Sequence, residues 1–376
     1  MRIGIVGGGP AGLYFALLMK RHEPAHEIRI VEQNPAGATF GFGVVFSDRA
    51  LSFLRTADPE SYADIETRLQ TWDDQVIVHR DQAVRIDNIG FSGIARLDLL
   101  QILQDHCRRR GVTLLFERRL HDLAPFADCD LVIGADGVNS LVRETYRQVF
   151  EPSATALSNR YVWYGTSQRF DALTLTFRAV EAGAFVAHHY RYSAAASTFI
   201  VECDVATWDR AGLDGMTEDQ HRRYCERIFA RDLGGRPLLS NRSAWTTFKV
   251  VTNRRWSHGN VVLIGDALRT VHFSIGSGTR NALEDAIALF RAFEAHGSDV
   301  PPALRAFEEA RRPGVETFLA VAQRSAAWYE RFAEKLHLGP IPFAYDYLMR
   351  SGRITPERLR QHSPGFAAAY EAYLAP

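Results

Sequence analysis

The chain of 376 residues has little cysteine: Cys107, Cys129, Cys203 and Cys225, with no CxxC pair among them. That excludes a disulfide scaffold and fits reduced, inert thiols in a cytoplasmic protein. It has no net charge, because 44 basic residues balance 44 acidic ones. No global field therefore recruits nucleic acid or an anionic membrane. No apolar run approaches the roughly twenty residues of a membrane span. The nucleotide-binding pattern begins at residue 2, so no cleaved leader is expected. Internal repeats and low-complexity tracts are missing, and the 13 histidines have no cysteine partners at ligand spacing, so no metal site is expected. What remains is a chain with 46% hydrophobic residues, enough for a large core divided into two or three domains.

What is present is concentrated in residues 2–12, Arg-Ile-Gly-Ile-Val-Gly-Gly-Gly-Pro-Ala-Gly. A short apolar run enters a turn with glycines at 7, 9 and 12, and a helical pattern follows from Leu13 to Met19. Gly7 permits the tight turn, Gly9 lets backbone N–H groups approach a pyrophosphate, and Gly12 lets helix and strand pack closely. The helix N-terminus then directs unpaired N–H groups at phosphate. A second apolar strand, Ile28–Val31, ends in Glu32, placed to accept hydrogen bonds from a ribose and to repel a 2′-phosphate.

Two further motifs follow. Asp130–Ala135 reads as a buried strand delivering Asp136-Gly137 to its carboxyl end, where ligands bind in open α/β sheets. Asp136 could equally cap the helix that follows. Val261–Ile264 delivers Gly265-Asp266, then a loop with Gly276 and Gly278, then a helix starting near Thr279. Asp266 suits a hydroxylated chain, and the helix dipole would favour negative charge on a flat ring. Between these motifs the texture changes. Short strands are expected at Val76–His79 and Ala83–Ile86, and alternating, aromatic-rich ones at Tyr161–Thr166, Leu173–Phe177, Phe185–Tyr192 and Ser197–Cys203. The segment Phe40–Phe46 reads as a glycine-rich loop, and the chain from Pro301 as helical.

The fold expected is therefore mixed α/β. A Rossmann-like nucleotide domain (1–72, 96–157 and 250–300) is interrupted by an antiparallel-sheet domain (73–95 and 158–249), and a helical region (301–376) closes the chain.

In order and spacing the three motifs resemble those of the single-component FAD-dependent aromatic hydroxylases, the para-hydroxybenzoate hydroxylase fold. The resemblance implies FAD held by Gly7, Gly9, Pro10, Ala11, Gly12, Glu32, Gln33, Val44, Arg96, Asp136, Gly265, Asp266, Gly276, Ser277, Gly278 and Thr279. It implies NADH or NADPH and O2 as co-substrates, and oxygen transfer to an activated ring through a flavin C4a-hydroperoxide. The strings at 7–20, 40–48, 71–74, 197–203 and 272–279 are similar to the salicylyl-CoA 5-hydroxylase branch and the monooxygenase half of 2-aminobenzoyl-CoA monooxygenases. Those at 163–168 and 197–203 are also similar to the tryptophan-derivative hydroxylases of violacein synthesis. Arg269 stands where such hydroxylases commonly carry His. The chain has no second complete GxGxxG and no CxxxxC pair, which disfavours a disulfide reductase, and no WxWxIP string of a flavin halogenase.

The substrate expected is a small aromatic, an ortho-hydroxy- or ortho-aminobenzoyl-CoA. The alternatives are a free tryptophan-derived or phenolic intermediate, or a flavin-binding protein without catalysis. For activating the ring, His272 is the first candidate and His188 the second, since an imidazole titrates near neutrality. Tyr190 shares a sheet face with His188 by alternation, and Trp163 and Phe273 could give flat walls. Basic residues for the CoA phosphates are sought among Arg80, Arg85, Arg169, Arg191, Arg254 and Arg255. Oligomeric state stays open, a homodimer being one option.

Overall fold

Strand Arg2–Val6 is apolar at successive positions because both of its faces are covered. It pairs in parallel with Glu27–Val31 on one side and Leu131–Gly134 on the other. Thr113–Leu115 and Val261–Leu263 extend the sheet outward, also in parallel, and Ser257–His258 closes one edge as its antiparallel sixth strand. All three motifs thus reach the carboxyl edge of one sheet although they are spread over some 260 residues of sequence. Helix Pro10–His22 lies against Gly278–His296, with Phe15 edge-on to Phe293 at 6.3 Å. The computed structural model describes residues 1–39, 41–47 and 51–375.

The second sheet has eight strands. Its centre is Pro152–Thr166, Ser197–Cys203, Gly183–Arg191 and Leu173–Val180, antiparallel throughout. Gln75–His79 then adds in parallel to Leu173–Val180, and Gln82–Ile86 follows it as a hairpin. Alternation sorts the side chains. Ala187, Phe199 and Val201 pack with Trp208, Cys225 and Phe229 of the helices on the outer face. Val186 and Tyr190 point to the inner face, toward Tyr329, Phe343 and Tyr347 of the C-terminal helices. Strand Pro152–Thr166 passes through the expected boundary at 157/158. It pairs with Thr246–Asn253 in a ladder broken only by a bulge between Ala156 and Arg160.

Segment 40–46 differs from expectation. Gly43–Phe46 is a strand, paired with Phe91–Ala95, while Phe40 lies outside the described residues. The β-branched Val44 and Val45 favour the pleat. Gly43 is required because a Cβ there would stand 2.3 Å from Tyr192. The prolines of the tail start helices rather than break them. Pro340, Pro356 and Pro364 each open a helix, where a missing N–H costs nothing. Among the described residues no helix is long and apolar enough to cross a membrane.

Candidate active site

A cavity of about 1050 Å³ runs between the two sheets and under the C-terminal helices. One end is built mainly of backbone. Gly7 (φ +104°) turns the chain where a Cβ would meet the Ala135 carbonyl at 2.3 Å, and a Cβ on Gly12 would meet the Gly7 carbonyl at 2.5 Å. A Cβ on Gly9 or Gly278 would meet nothing within 4 Å, and both residues line the cavity. Each adjoins the N-terminus of a long helix with no side-chain cap, so two sets of unpaired N–H groups open on one space. Pro10, Ala11, Val44, Gly276, Ser277 and Thr279 also line it.

Charges at this end are few and incompletely paired. Asp266 lines the cavity, and its carboxylate accepts no hydrogen bond from any described residue. Depth in the protein raises its pKa, opposed by Arg96 and Arg269. Arg96 also lines the cavity, its guanidinium pulled down by burial and supported by Asp266 and Tyr190. A carboxylate that faces the cavity without donors among the described residues, two uncapped helix ends and open glycines are what a dinucleotide with a ribityl chain requires. The residues present therefore fit FAD. Glu32 sits beside this end with its oxygens engaged, accepting N–H groups from Gly8 (2.8 Å) and Asn34 (2.8 Å) and the Asn34 amide (2.7 Å). Gln33 is exposed and is not among the residues that line the cavity. Asp136 corrects one expectation. Its carboxylate turns away from the cavity and accepts the Leu141 and Val142 N–H groups at 2.6 and 3.2 Å and the Ser140 hydroxyl at 2.5 Å. Of the two readings of that carboxylate, the geometry favours the cap. Its neighbours Gly137, Val138 and Asn139 are the ones that line the cavity.

The other end is built of side chains. Trp163, Tyr161, Phe248 and Phe273 supply aromatic wall, and Leu173, Leu175 and Ile200 supply aliphatic wall. Tyr190 donates its hydroxyl proton to the Gly43 carbonyl at 3.0 Å, so it fixes the strand as well as lining the space. His188 lines the cavity, 6% exposed, its ring stacked on Tyr329 at 5.0 Å and edge-on to Phe273 at 5.4 Å. His272 does not line it. Its ring stacks behind Phe273 at 4.3 Å, its Nδ1 accepts the Ser274 N–H, and burial pulls its pKa down to about 4. A neutral imidazole sealed inside the wall is poorly placed to exchange a proton with a ligand, which removes the ground for preferring it to His188. The alternation that put His188 and Tyr190 on one face holds, and their neighbour His189 faces the other way, bonded to Thr176.

Three features escaped the sequence. Glu202, 1% exposed, lies 3.4 Å from His188 Nε2. Its signal was a lone acid inside the apolar strand Ser197–Cys203. Secondly, the C-terminal region brings Arg350, Arg353 and Arg358, with His362, to the cavity, and Lys249 lines it from the sheet. The arginines expected there are elsewhere: Arg85 pairs with Asp74, Arg254 with Glu151, and Arg80 and Arg191 bond to backbone carbonyls. Thirdly, Arg269 leaves the cavity altogether. It forms a bidentate pair with the fully buried Asp285 (2.8 Å on one arm), and Asp285 also accepts the Gly265 N–H at 3.0 Å. The departure at 269 thus pins the Gly265-Asp266 turn to the following helix. Arg143 similarly ties two motif loops together, donating to the Val138 and Ala267 carbonyls at 2.6 and 3.0 Å.

Fold and cavity together define a flavoprotein of the two-sheet hydroxylase type. The chain belongs to the FAD binding domain family, whose model matches residues 1–322, and it is an FAD-dependent aromatic monooxygenase. It is 40% identical over 362 residues to a salicyloyl-CoA 5-hydroxylase of Streptomyces sp, covering 93% of this chain and 70% of that one. It is 37% identical to protodeoxyviolaceinate monooxygenase of Chromobacterium violaceum (96% and 98% covered). It is also 37% identical to 3-hydroxy-4-methyl-anthranilyl-[aryl-carrier protein] 5-monooxygenase of Streptosporangium sibiricum (89% and 90% covered). The fold is shared with 2-methyl-3-hydroxypyridine-5-carboxylic acid oxygenase, with a TM-score of 0.73 at 18% identity over 96% of this chain and 95% of that one.

Proposed function

We propose that this monooxygenase hydroxylates the ring of an aromatic acyl thioester, an ortho-hydroxy- or ortho-aminobenzoyl-CoA, with NAD(P)H and O2. Bound FAD would supply activation of O2. Gly9, Pro10, Ala11 and the 276–279 loop would hold its phosphates and ring through backbone N–H groups, and Asp266 and Arg96 its hydroxylated chain. The protein's part at the other end is to hold a flat ring between Trp163 and Phe273, exclude water, and accept a proton at His188.

The observation that carries the thioester reading is the cavity mouth. Arg353 and Arg358 stand exposed where the aromatic end opens, beside Arg350 and His362. Arg353 is crowded by Arg280, Arg350 and Arg358, a like-charge repulsion that a polyphosphate would relieve. A relative 40% identical is named for a CoA thioester, and one 37% identical for a carrier-protein-bound anthranilyl group, which supports the same class. The second reading, a free tryptophan-derived intermediate, draws on the relative named protodeoxyviolaceinate monooxygenase and on the aromatic walls of the cavity.

The test is NAD(P)H consumption and product mass against free aromatic acids, their CoA thioesters and tryptophan derivatives. Coupled hydroxylation of a thioester well above that of its free acid is expected. If a free acid or an indole couples better than every thioester, the thioester reading fails.

A further inference from the structure

Glu202 stands behind His188 at the ring end of the cavity, and nothing in the chemistry above uses it. It reaches His188 because the two strands place them diagonally: His188 faces Ile200, Val186 faces Glu202, and all four side chains share the inner sheet face. One carboxylate oxygen, Oε1, accepts the Asn159 side-chain amide at 2.8 Å, and that amide also donates to the Tyr329 carbonyl at 2.9 Å. Asn159 is itself held by Glu330, which accepts its backbone N–H at 2.9 Å. The other oxygen, Oε2, has no hydrogen-bond donor, and neither has His188 Nε2 an acceptor, though the two atoms are 3.4 Å apart and sealed from solvent. A shift of a few tenths of an ångström closes that bond. His188 Nδ1 makes no hydrogen bond to any described residue, and the ring lines the cavity.

The groups facing this pair are few. Tyr161 is pushed up to about 12 by burial and by Glu202 and Asp266, and Tyr329 far higher by burial. His272 is held neutral, and Arg350 is bonded to Ser325 and to the Tyr347 and Ser274 carbonyls. Burial pushes the Glu202 carboxyl up, but the contact with His188 and the Asn159 hydrogen bond outweigh it and hold it below the ordinary carboxyl value. Near neutral pH, one carboxylate therefore faces one imidazole with no competing proton donor.

We propose that Glu202 is a positioning residue. Its carboxylate holds His188 as the Nε2–H tautomer, so that Nδ1 takes the proton of a ring hydroxyl presented in the cavity. The O–H bond breaks with its electron pair left on oxygen, the proton bonds to Nδ1, and the imidazolium is balanced by the carboxylate. When the hydroxylated ring regains aromaticity, its C–H proton leaves to solvent at the cavity, the C–H electron pair returns to the ring, and Nδ1 returns its proton to the same oxygen. The inference rests on the phenolic thioester reading above.

The experiment uses the FAD-loaded full chain and 2-hydroxybenzoyl-CoA as the probe. The bound phenol is titrated by its phenolate absorbance in difference spectra, and FAD content is recorded alongside. The wild type should bind the phenol with its ionisation well below the free value. Glu202→Gln should raise that apparent pKa by about one to three units, the range of a nearby opposite charge, with FAD content unchanged. Binding with an unshifted ionisation in E202Q overturns the role of Glu202 and leaves the substrate reading standing. No binding by the wild type overturns the thioester reading and this inference with it. Should E202Q fail to fold, the side-chain ¹⁵N spectrum of wild-type His188, assigned by its loss in His188→Gln, decides the matter. The Nε2–H tautomer supports the proposal, and the Nδ1–H tautomer overturns it.

Discussion

The two ends of the cavity are made of different material. At one end, backbone does the binding work: glycines that leave room and two helix ends that leave N–H groups unpaired. At the other, side chains from distant elements converge, with Trp163, His188, Glu202 and Phe273 drawn from four separate stretches. A backbone-built site tolerates variation in side chains but not in turns, so it stays recognisable. A side-chain-built site is free to change its ligand while the frame stays fixed. One end therefore identifies the cofactor class, and the other carries whatever distinguishes this enzyme from its relatives.

The comparison can be broken by variants that confuse the two ends. The largest effect is expected at the ring end. His188→Gln should keep FAD and still allow its reduction by NAD(P)H, while product formation drops about 10²–10⁴-fold, the usual contribution of a general base, with H2O2 released instead. Loss of FAD in that variant would mean the ends are not separable.

Asp266→Ala should do the reverse. Removing an acceptor of charged hydrogen bonds costs about 1.5–3 kcal/mol, so FAD affinity should weaken roughly 10–150-fold. Once saturated with FAD, the variant should couple normally. Equilibrium titration with FAD followed by coupling assays checks both halves.

A smaller effect belongs to the mouth. Arg353→Ala combined with Arg358→Ala should raise the KM for a CoA thioester by up to about fivefold per arginine, given about 0.2–1 kcal/mol for exposed pairs. The KM for the free acid should not move, and high salt should erase the difference. Equal changes for acid and thioester would refute a phosphate handle.

The smallest effect on turnover is expected at His272. As a wall residue, His272→Phe should change turnover by no more than about threefold. Its signature is in stability instead. The folded pKa of about 4 lies below the ordinary histidine value, because burial disfavours the charged form. The neutral ring therefore stabilises the fold fully above about pH 6.5, and that contribution, on the order of 3 kcal/mol, fades as pH falls toward 4. Urea unfolding across this window should show a shallower acid loss in His272→Phe than in the wild type. An unchanged slope together with a large loss of turnover would restore His272 to the chemistry.

How much was legible follows the same division. The three motifs could be read because each is local: strand, turn and helix are contiguous, and a glycine missing its Cβ announces the close approach that needs it. Gly12 is required 2.5 Å from the Gly7 carbonyl, five residues away. The sheet alternation was equally legible, since a period of two sets the face of His188 and Tyr190 without reference to anything distant. Local pattern misled where two roles share one signal. Asp136 looks the same whether it meets a ligand or caps a helix, and His272 looks the same whether it lines a cavity or stacks behind the residue that does.

The sequence by itself thus determined the nucleotide-binding frame and the change from parallel to alternating strands, because those depend on short-range sterics and on hydrophobic period, while the class of cofactor came from the resemblance that its three motifs carry. Only the tertiary structure decided which imidazole meets the cavity, that Glu202 stands behind it, that Arg269 is withdrawn into a pair with Asp285, and that the mouth is basic through residues 350–362. Each of those depends on contacts between segments tens to hundreds of residues apart, where register, bulge and helix packing choose among side chains that the linear pattern leaves equivalent.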